Sequence, residues 1–303
     1  MTRAACAIAI TLQSALLTAC TEARPQAAPA VPVSAMTVGV RPVSNTEARR
    51  AYDRYLRLGD RTYAGLALEI SRARPEPFPP GDVRFIIPRP LPGSPRWFLA
   101  STVRAQLIFQ ETRAGWRVVA GSATPAGYRL PEPALDPDGH AMALDEHATG
   151  LYATPRQVAH AHAISLASMH LHPQARAVLA PGTHTSDAAR DLQAEQALTR
   201  GQWALSITTH DLPALYALRT KDGGALTWYG IRETQTYTPV ADPHTAIRFS
   251  RPVLAALSRG RAFVSRAVIK AAGSFVAVIP PAGATAKAAV AGGWYATTSI
   301  NGS

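Results

Sequence analysis

Both cysteines of the 303-residue chain, Cys6 and Cys20, fall within its first twenty residues. Everything downstream must therefore hold its shape without a disulfide, by burying a core large enough to do so. Thiol catalysis and cysteine-ligated zinc or iron are excluded for the same stretch. The chain opens with one cation, Arg3, and then an apolar run from Ala4 to Leu17 interrupted only by Thr11, Gln13 and Ser14. That is the build of a signal peptide. The run is too short and too polar at its middle to cross a bilayer permanently, which takes roughly 20 predominantly apolar residues, and no later segment approaches that length.

The run ends in Leu17, Thr18, Ala19 and Cys20, which resembles a lipobox: a branched apolar residue, two small residues and a cysteine. The small residues let a signal peptidase close on the backbone beside a modified thiol. The resemblance implies that residues 1–19 are removed and that Cys20 carries diacylglycerol with palmitate-like chains. Two acyl chains anchor stably where one is marginal. From Thr21 to Val43 the sequence is rich in Pro and Ala without helical or strand period, so residues 20–43 are expected to form an extended tether. Folded structure is expected from Ser44, held by the lipid at the extracytoplasmic face of the cell membrane.

The formal net charge of +11 becomes +10 when Arg3 leaves with the signal, and lysine occurs only at 221, 270 and 287. A basic exported protein faces anionic headgroups and wall polymers, so anionic lipid, wall polymer or an envelope protein are the expected partners. Nucleic acid is not expected outside the cell.

Ser44 and Glu47 form a capping box ahead of a helical pattern over Thr46 to Ala67. Ala51, Tyr55, Leu58 and Thr62 give it one apolar stripe, and Arg50, Arg54, Arg57 and Arg61 run beside it. That basic ridge is a candidate contact for an anionic surface, although arginines at this spacing also make an ordinary solvated face. Strand-like runs follow at Val83–Pro88, Trp97–Val103, Ala105–Thr112 and Trp116–Ala120.

The order then repeats. Thr154, Pro155 and Gln157 supply a second capping box with proline at the first helical position, opening a helix through about Met169. A further helix fits Ser186–Arg200, closed by Gly201. Strands fit Trp203–Thr209, Ala214–Thr220, Ala225–Tyr237, Ala262–Ala271 and Ser274–Ile279. Asp222, Gly223 and Gly224 mark a hairpin turn, where glycine accepts positive φ. Pro95–Thr112 and Pro213–Thr234 are similar hairpins, each ending in Glu-Thr. The expected architecture is α+β in two modules, residues 44–150 and 151–303, each a helix packed on an antiparallel sheet. By analogy alone, cystatin-like or nuclear-transport-factor-like folding fits this order.

The lipobox, the Pro-Ala tether, Trp97-Phe98, and above all Ala217-Leu218-Arg219-Thr220, Asp222-Gly223-Gly224-Ala225-Leu226 and Tyr229 together resemble an uncharacterised domain family of actinobacterial lipoproteins. Tyr216 takes the aromatic position before Ala217, and Lys221 stands where a small residue is common. The resemblance is close over the hairpin and loose over the rest of the mature chain. It implies an exported, lipid-anchored protein and carries over no catalytic residue.

His160, His162, His170 and His172 cluster in sequence, but helical residues two apart point about 200° from each other, whereas zinc ligands on one helix stand three or four apart. No metal or other cofactor is therefore expected. His140, Asp145, Glu146 and His147 fall in a loop with no nucleophile beside them. GxSxG, SxxK, the P-loop and GxGxxG are absent. The sequence accordingly favours a non-catalytic binding or accessory module over its two rivals, an envelope hydrolase using His and acid residues of 140–172 and a structural subunit of a membrane complex.

Overall fold

The capping box at Ser44 opens the first element of the computed structural model, which describes residues 41–75, 78, 81–168, 172–199, 201–240 and 245–303. Leu17, Thr18, Ala19, Cys20 and most of the tether lie outside the described residues. In α1 (Asn45–Leu58) the Glu47 amide donates to Ser44 Oγ at 3.1 Å, and the Ser44 amide donates back to the Glu47 carboxylate at 2.8 Å. The Ser44 amide, helped by Arg96, pulls the Glu47 carboxyl down to about 2 against the opposing effect of burial.

The expected continuous helix to Ala67 divides. Gly59 adopts a φ of +54°, a 3₁₀ turn spans Gly59–Thr62, and α2 follows over Gly65–Ala73. The buried face of α1 is Ala48, Ala51, Tyr52 and Tyr55, while Leu58, expected in that stripe, is exposed. The reorientation brings Leu66, Ala67 and Ile70 of α2 into the same core as the α1 face.

The strands are β1 (Arg84–Ile86), β2 (Trp97–Ser101), β3 (Ala105–Thr112), β4 (Gly115–Ala123), β5 (Ala143–Leu144), β6 (Trp203–Arg219), β7 (Ala225–Pro239), β8 (Ala267–Ile279) and β9 (Ala289–Gly302). The helices that follow β5 are α3 (Pro155–Ala167), α4 (Pro173–Val178), α5 (Ala188–Thr199) and α6 (Pro252–Ser258). Among the described residues all nine strands join one antiparallel sheet, in the order β1-β2-β3-β4-β9-β8-β7-β6-β5. The sheet curls on itself, because Pro88, just past β1, bridges to Ala141, just before β5.

Helices on antiparallel strands make the fold mixed helix and strand, as expected. The strands on either side of residue 150 meet in this one sheet, where Ala123 pairs with Gly293. A Cβ at Gly292 would stand 2.4 Å from the Ala123 carbonyl oxygen, so only glycine permits the close approach at this seam. Inside the curl, Trp97, Leu99 and Ile108 share a core with Tyr216, Leu218, Leu226 and Trp228. Trp97 and Tyr216 meet edge to face at 5.2 Å between ring centres, a geometry that suits the aromatic quadrupole. α1 and α2 pack with Phe98, Phe109, Val118 and Trp294 in a second core, and α3 packs with Tyr229, Ile231 and Phe275 in a third.

Two pairs of expected strands are each one long strand. β6 runs through both Trp203–Thr209 and Ala214–Thr220, with its register shifting between Asp211 and Leu215. β8 begins at Ala267 and continues across Gly273. β9 was not expected from its Ala-, Gly- and Thr-rich sequence. Its extended form rests on pairing with β8 along nearly its whole length, a tertiary effect that local propensity does not carry.

Candidate functional site

Along β7 the residues Tyr229, Ile231, Glu233, Gln235 and Tyr237 alternate onto one buried face, while Arg232 points the other way and pairs with Glu69 of α2 at 2.9 Å. A carboxyl therefore occupies a position that the strand period reserves for the apolar side. α5 and α6 stand over the outer face of β7, β8 and β9 without closing on it. The space between them and the end of α2 is a cleft of about 720 Å³, within the range of small-molecule sites. Its apolar lining includes Leu166, Leu192, Leu254, Ile269 and Phe275, and its polar groups include Glu195, Glu233, Gln235 and Arg251.

The two glutamates are treated differently by their surroundings. Glu195, on α5, accepts from Arg251 Nη1 at 2.8 Å and from the Tyr237 hydroxyl at 3.1 Å. Its charge is compensated. Glu233 is only 4% exposed and accepts from Gln235 Nε2 at 2.6 Å. Burial raises its carboxyl above the usual range and the charge of Glu195 adds to this, while hydrogen bonds from Gln235 and Tyr295 pull the other way. Its partners are thus neutral, and the nearby charge that acts on it is negative. His184, at the inner end of the cleft beside Phe275, is shifted down by desolvation. Among the described residues, those lining the cleft include no serine, cysteine or lysine.

The histidines read from the sequence are dispersed. His162 is fully buried: its Nε2–H donates to the His184 carbonyl at 2.7 Å, and its Nδ1 faces the Tyr229 hydroxyl at 2.9 Å. A carbonyl only accepts, so Nε2 carries the proton and Nδ1 accepts from the tyrosine. Burial pushes this imidazole down to about 4 against the carbonyl contact. His160, two residues away, faces solvent on the other side of α3, as helical geometry requires. His172 caps α4, accepting from the Gln174 amide at 3.3 Å, and His170 lies outside the described residues. His140 neighbours Asp136 and Asp138, and the Arg89 guanidinium already binds both of those carboxylates.

Asp145, Glu146 and His147 precede α3, and Glu146 joins a network centred on Arg156. The Arg156 guanidinium donates to Glu146 at 2.7 Å, to Asp211 at 3.0 Å, and to the carbonyls of Leu212 at 2.8 Å and Pro213 at 2.7 Å. His160 Nδ1 stands 3.2 Å from the other Asp211 oxygen. Burial alone would raise the Asp211 carboxyl, but His160 and Arg156 overcome it and hold it low. The network pins the irregular stretch of β6 to α3.

Arg50, Arg54 and Arg57 are exposed along α1, and Arg61 is exposed on the 3₁₀ turn beyond it. No ion pair or hydrogen bond holds any of the four among the described residues. In the hairpin, Gly223 takes a φ of +83° and the Thr220 amide donates to the Gly224 carbonyl at 3.0 Å. Arg219 donates to the Gly223 carbonyl at 3.0 Å and to the Thr149 carbonyl at 3.3 Å, tying the turn to the segment before α3. Lys221 pairs with Glu132.

The cleft was not found from the sequence. Its one legible signal was Glu233 on the apolar side of an alternating strand. The residues facing it from α5 and α6 lie at least 18 positions away along the chain, where no short motif reaches.

The family model described as "Domain of unknown function (DUF8094)" matches residues 61–301, and the chain belongs to that family. The chain is 29% identical over 217 residues to a protein of Streptomyces coelicolor that bears the name of an uncharacterised lipoprotein. The match covers 63% of this chain and 63% of that relative, so the chain spans less than two thirds of the relative's length. No solved structure matches the chain. No helix among the described residues is long and apolar enough to cross a membrane.

Proposed function

We propose that the chain is a lipid-anchored lipoprotein of the cell envelope, whose folded part is a non-catalytic module that binds a ligand in the cleft between α2, α5, α6 and the outer face of β7–β9. The observation that carries this reading is the cleft itself, about 720 Å³ with an apolar lining around a few convergent polar groups. No serine, cysteine or lysine lies among the described residues of its lining, which favours binding over acyl transfer through such a nucleophile.

The anchor is Cys20, after cleavage behind Leu17, Thr18 and Ala19, and it places the module at the extracytoplasmic face. The lipobox pattern and the name borne by the Streptomyces relative both support this. Because α1 directly follows the tether, its exposed Arg50, Arg54 and Arg57, with Arg61 on the turn, are the cations best placed to meet anionic headgroups or wall polymer.

Titration of the full chain with the neutral dye Nile red tests the cleft. One saturable site is expected, weakened at least about tenfold by Ala188→Trp, which fills the α5 side of the cleft. Equal binding to both proteins would remove the cleft from the account. For the anchor, Cys20→Ala should leave the membrane fraction or persist as uncleaved precursor. A variant that is cleaved and membrane-bound like the parent would refute the lipobox assignment.

A further inference from the structure

The cleft floor carries an acid with no cation of its own. Arg251, the residue that precedes α6, is held by Glu195 at 2.8 Å. Arg74, at the end of α2, reaches the Tyr295 carbonyl at 3.5 Å. Asp191, one helical turn before Glu195 on α5, adds a further negative group at the rim, and His184 lies toward the neutral form. On the strands, the buried Tyr237 hydroxyl serves Glu195, while Tyr295 and Gln235 approach Glu233 without bringing charge. The lining sets Arg74 and Arg251 against Asp191 and Glu195, and Glu233 is the further acid among them. The floor is surrounded by Leu166, Leu192, Leu254, Ile269 and Phe275.

From this arrangement we infer that the cleft takes a small molecule with a cationic amine on an apolar body, its ammonium group meeting the Glu233 carboxylate. The inference rests on the cleft being the ligand site and adds the chemical class of the ligand. A buried carboxyl with only neutral partners gains most from an incoming cation, because a charge-assisted hydrogen bond replaces an uncompensated charge. The apolar walls take the body of the ligand, and the Phe275 and Tyr295 rings favour a cation over an anion. An anionic head group would meet Glu233 directly, with Arg251 already held by Glu195.

Binding is coupled to protonation. Burial holds the Glu233 carboxyl toward its neutral form in the free protein. An ammonium ligand stabilises the carboxylate, so binding releases a proton and affinity rises with pH through the Glu233 transition.

The test is calorimetric titration of the full chain with three probes of one shape: cyclohexylmethylamine, cyclohexylmethanol and cyclohexanecarboxylate. The chain is used as wild type, Glu233→Gln and two cleft-filling variants, Ala188→Trp and Val253→Trp. At pH 8 the amine is expected to bind wild type about tenfold or more tightly than the alcohol, and the carboxylate most weakly. Glu233→Gln should bring the amine to the level of the alcohol and abolish the rise in amine affinity from pH 5 to pH 8. If all three probes bind wild type equally, and the tryptophan variants block them, the cleft is a binding site and the amine assignment is overturned. If amine binding persists undiminished in both tryptophan variants, or no probe binds wild type, the cleft itself is not the site and both readings fall.

Discussion

Two acidic clusters flank the same sheet and differ in how their charge is met. Around Arg156, one guanidinium serves Glu146 and Asp211 and also two backbone carbonyls in the irregular part of β6. Every charged group there has a partner, although His160 and Asp211 also border a smaller hollow of about 370 Å³. At the cleft floor, Glu195 takes the available arginine, and Glu233 is left with Gln235 and Tyr295 beside an open volume. The first arrangement uses charge to fix the chain; the second leaves a buried carboxyl bordering an open cleft. A compensated cluster is therefore read as structure, and an uncompensated one beside a cavity as a site.

The largest effect that separates the two clusters is expected from Arg156→Met. It removes the guanidinium from Glu146, from Asp211, which keeps His160, and from two carbonyls, so urea unfolding should show a loss of about 2 kcal/mol with an unchanged denaturant slope. A loss below about 0.5 kcal/mol would make the cluster an incidental surface network. Asp211→Asn removes one charged acceptor of the same guanidinium and should cost about 1.5 kcal/mol at pH 7 by the same measurement.

Glu233→Gln should act in the opposite direction. It removes a carboxyl that burial disfavours when charged, and stability at pH 8 should rise. A clear loss of stability at that pH would mean that the carboxylate is already compensated.

The pH dependence sharpens the contrast. Asp211 has its carboxyl held low, so its contribution is present above the ordinary carboxylate range and is lost as pH falls through its lowered value. Glu233 has its carboxyl raised, so its favourable form is fully present below the ordinary value and is lost as pH rises through the raised one. In thermal melts across pH, Asp211→Asn should flatten the acid limb and Glu233→Gln the limb above it. His162, pushed to about 4, adds to the acid limb, since stability falls as pH drops from the ordinary histidine value toward that one.

The smallest effect on stability is expected at the ridge. Changing Arg50, Arg54, Arg57 and Arg61 to Gln together should move the unfolding midpoint by no more than about 0.5 kcal/mol. The same change should weaken sedimentation of the full chain with phosphatidylglycerol vesicles, an effect that salt reproduces in the unaltered protein.

The two clusters also differ in how far the sequence announces them. Both capping boxes, at Ser44 and Thr154, were legible because their partners lie three residues apart and obey local geometry. The turn at Asp222, Gly223 and Gly224 was legible because positive φ selects glycine. Glu146 was noticed only as part of an acidic loop; its partner Arg156 sits on a helix, and Asp211 is 55 residues beyond Arg156. Glu233 was noticed only as the end of a repeated Glu-Thr pair. Its counterpart Glu111 pairs with Arg96 at 3.0 Å near the surface, so equivalent places in two similar hairpins carry different chemistry. What distinguishes them is what packs above each strand, and the approach of α5 and α6 to β7 is set by tertiary contacts. The same limit explains β9, whose extended form is dictated by β8, and the union of both strand sets through Ala123 and Gly293.

The most direct test of the account is a titration of the glutamate carboxyl carbons by NMR in the full chain labelled at that position, with Glu233→Gln assigning the signal. The Glu233 carboxyl should titrate distinctly above the ordinary glutamate value in the free protein and move down when cyclohexylmethylamine is added. A carboxyl that titrates at or below the ordinary value, and is unmoved by the amine, would show that its charge is already compensated and would contradict the reading of the cleft.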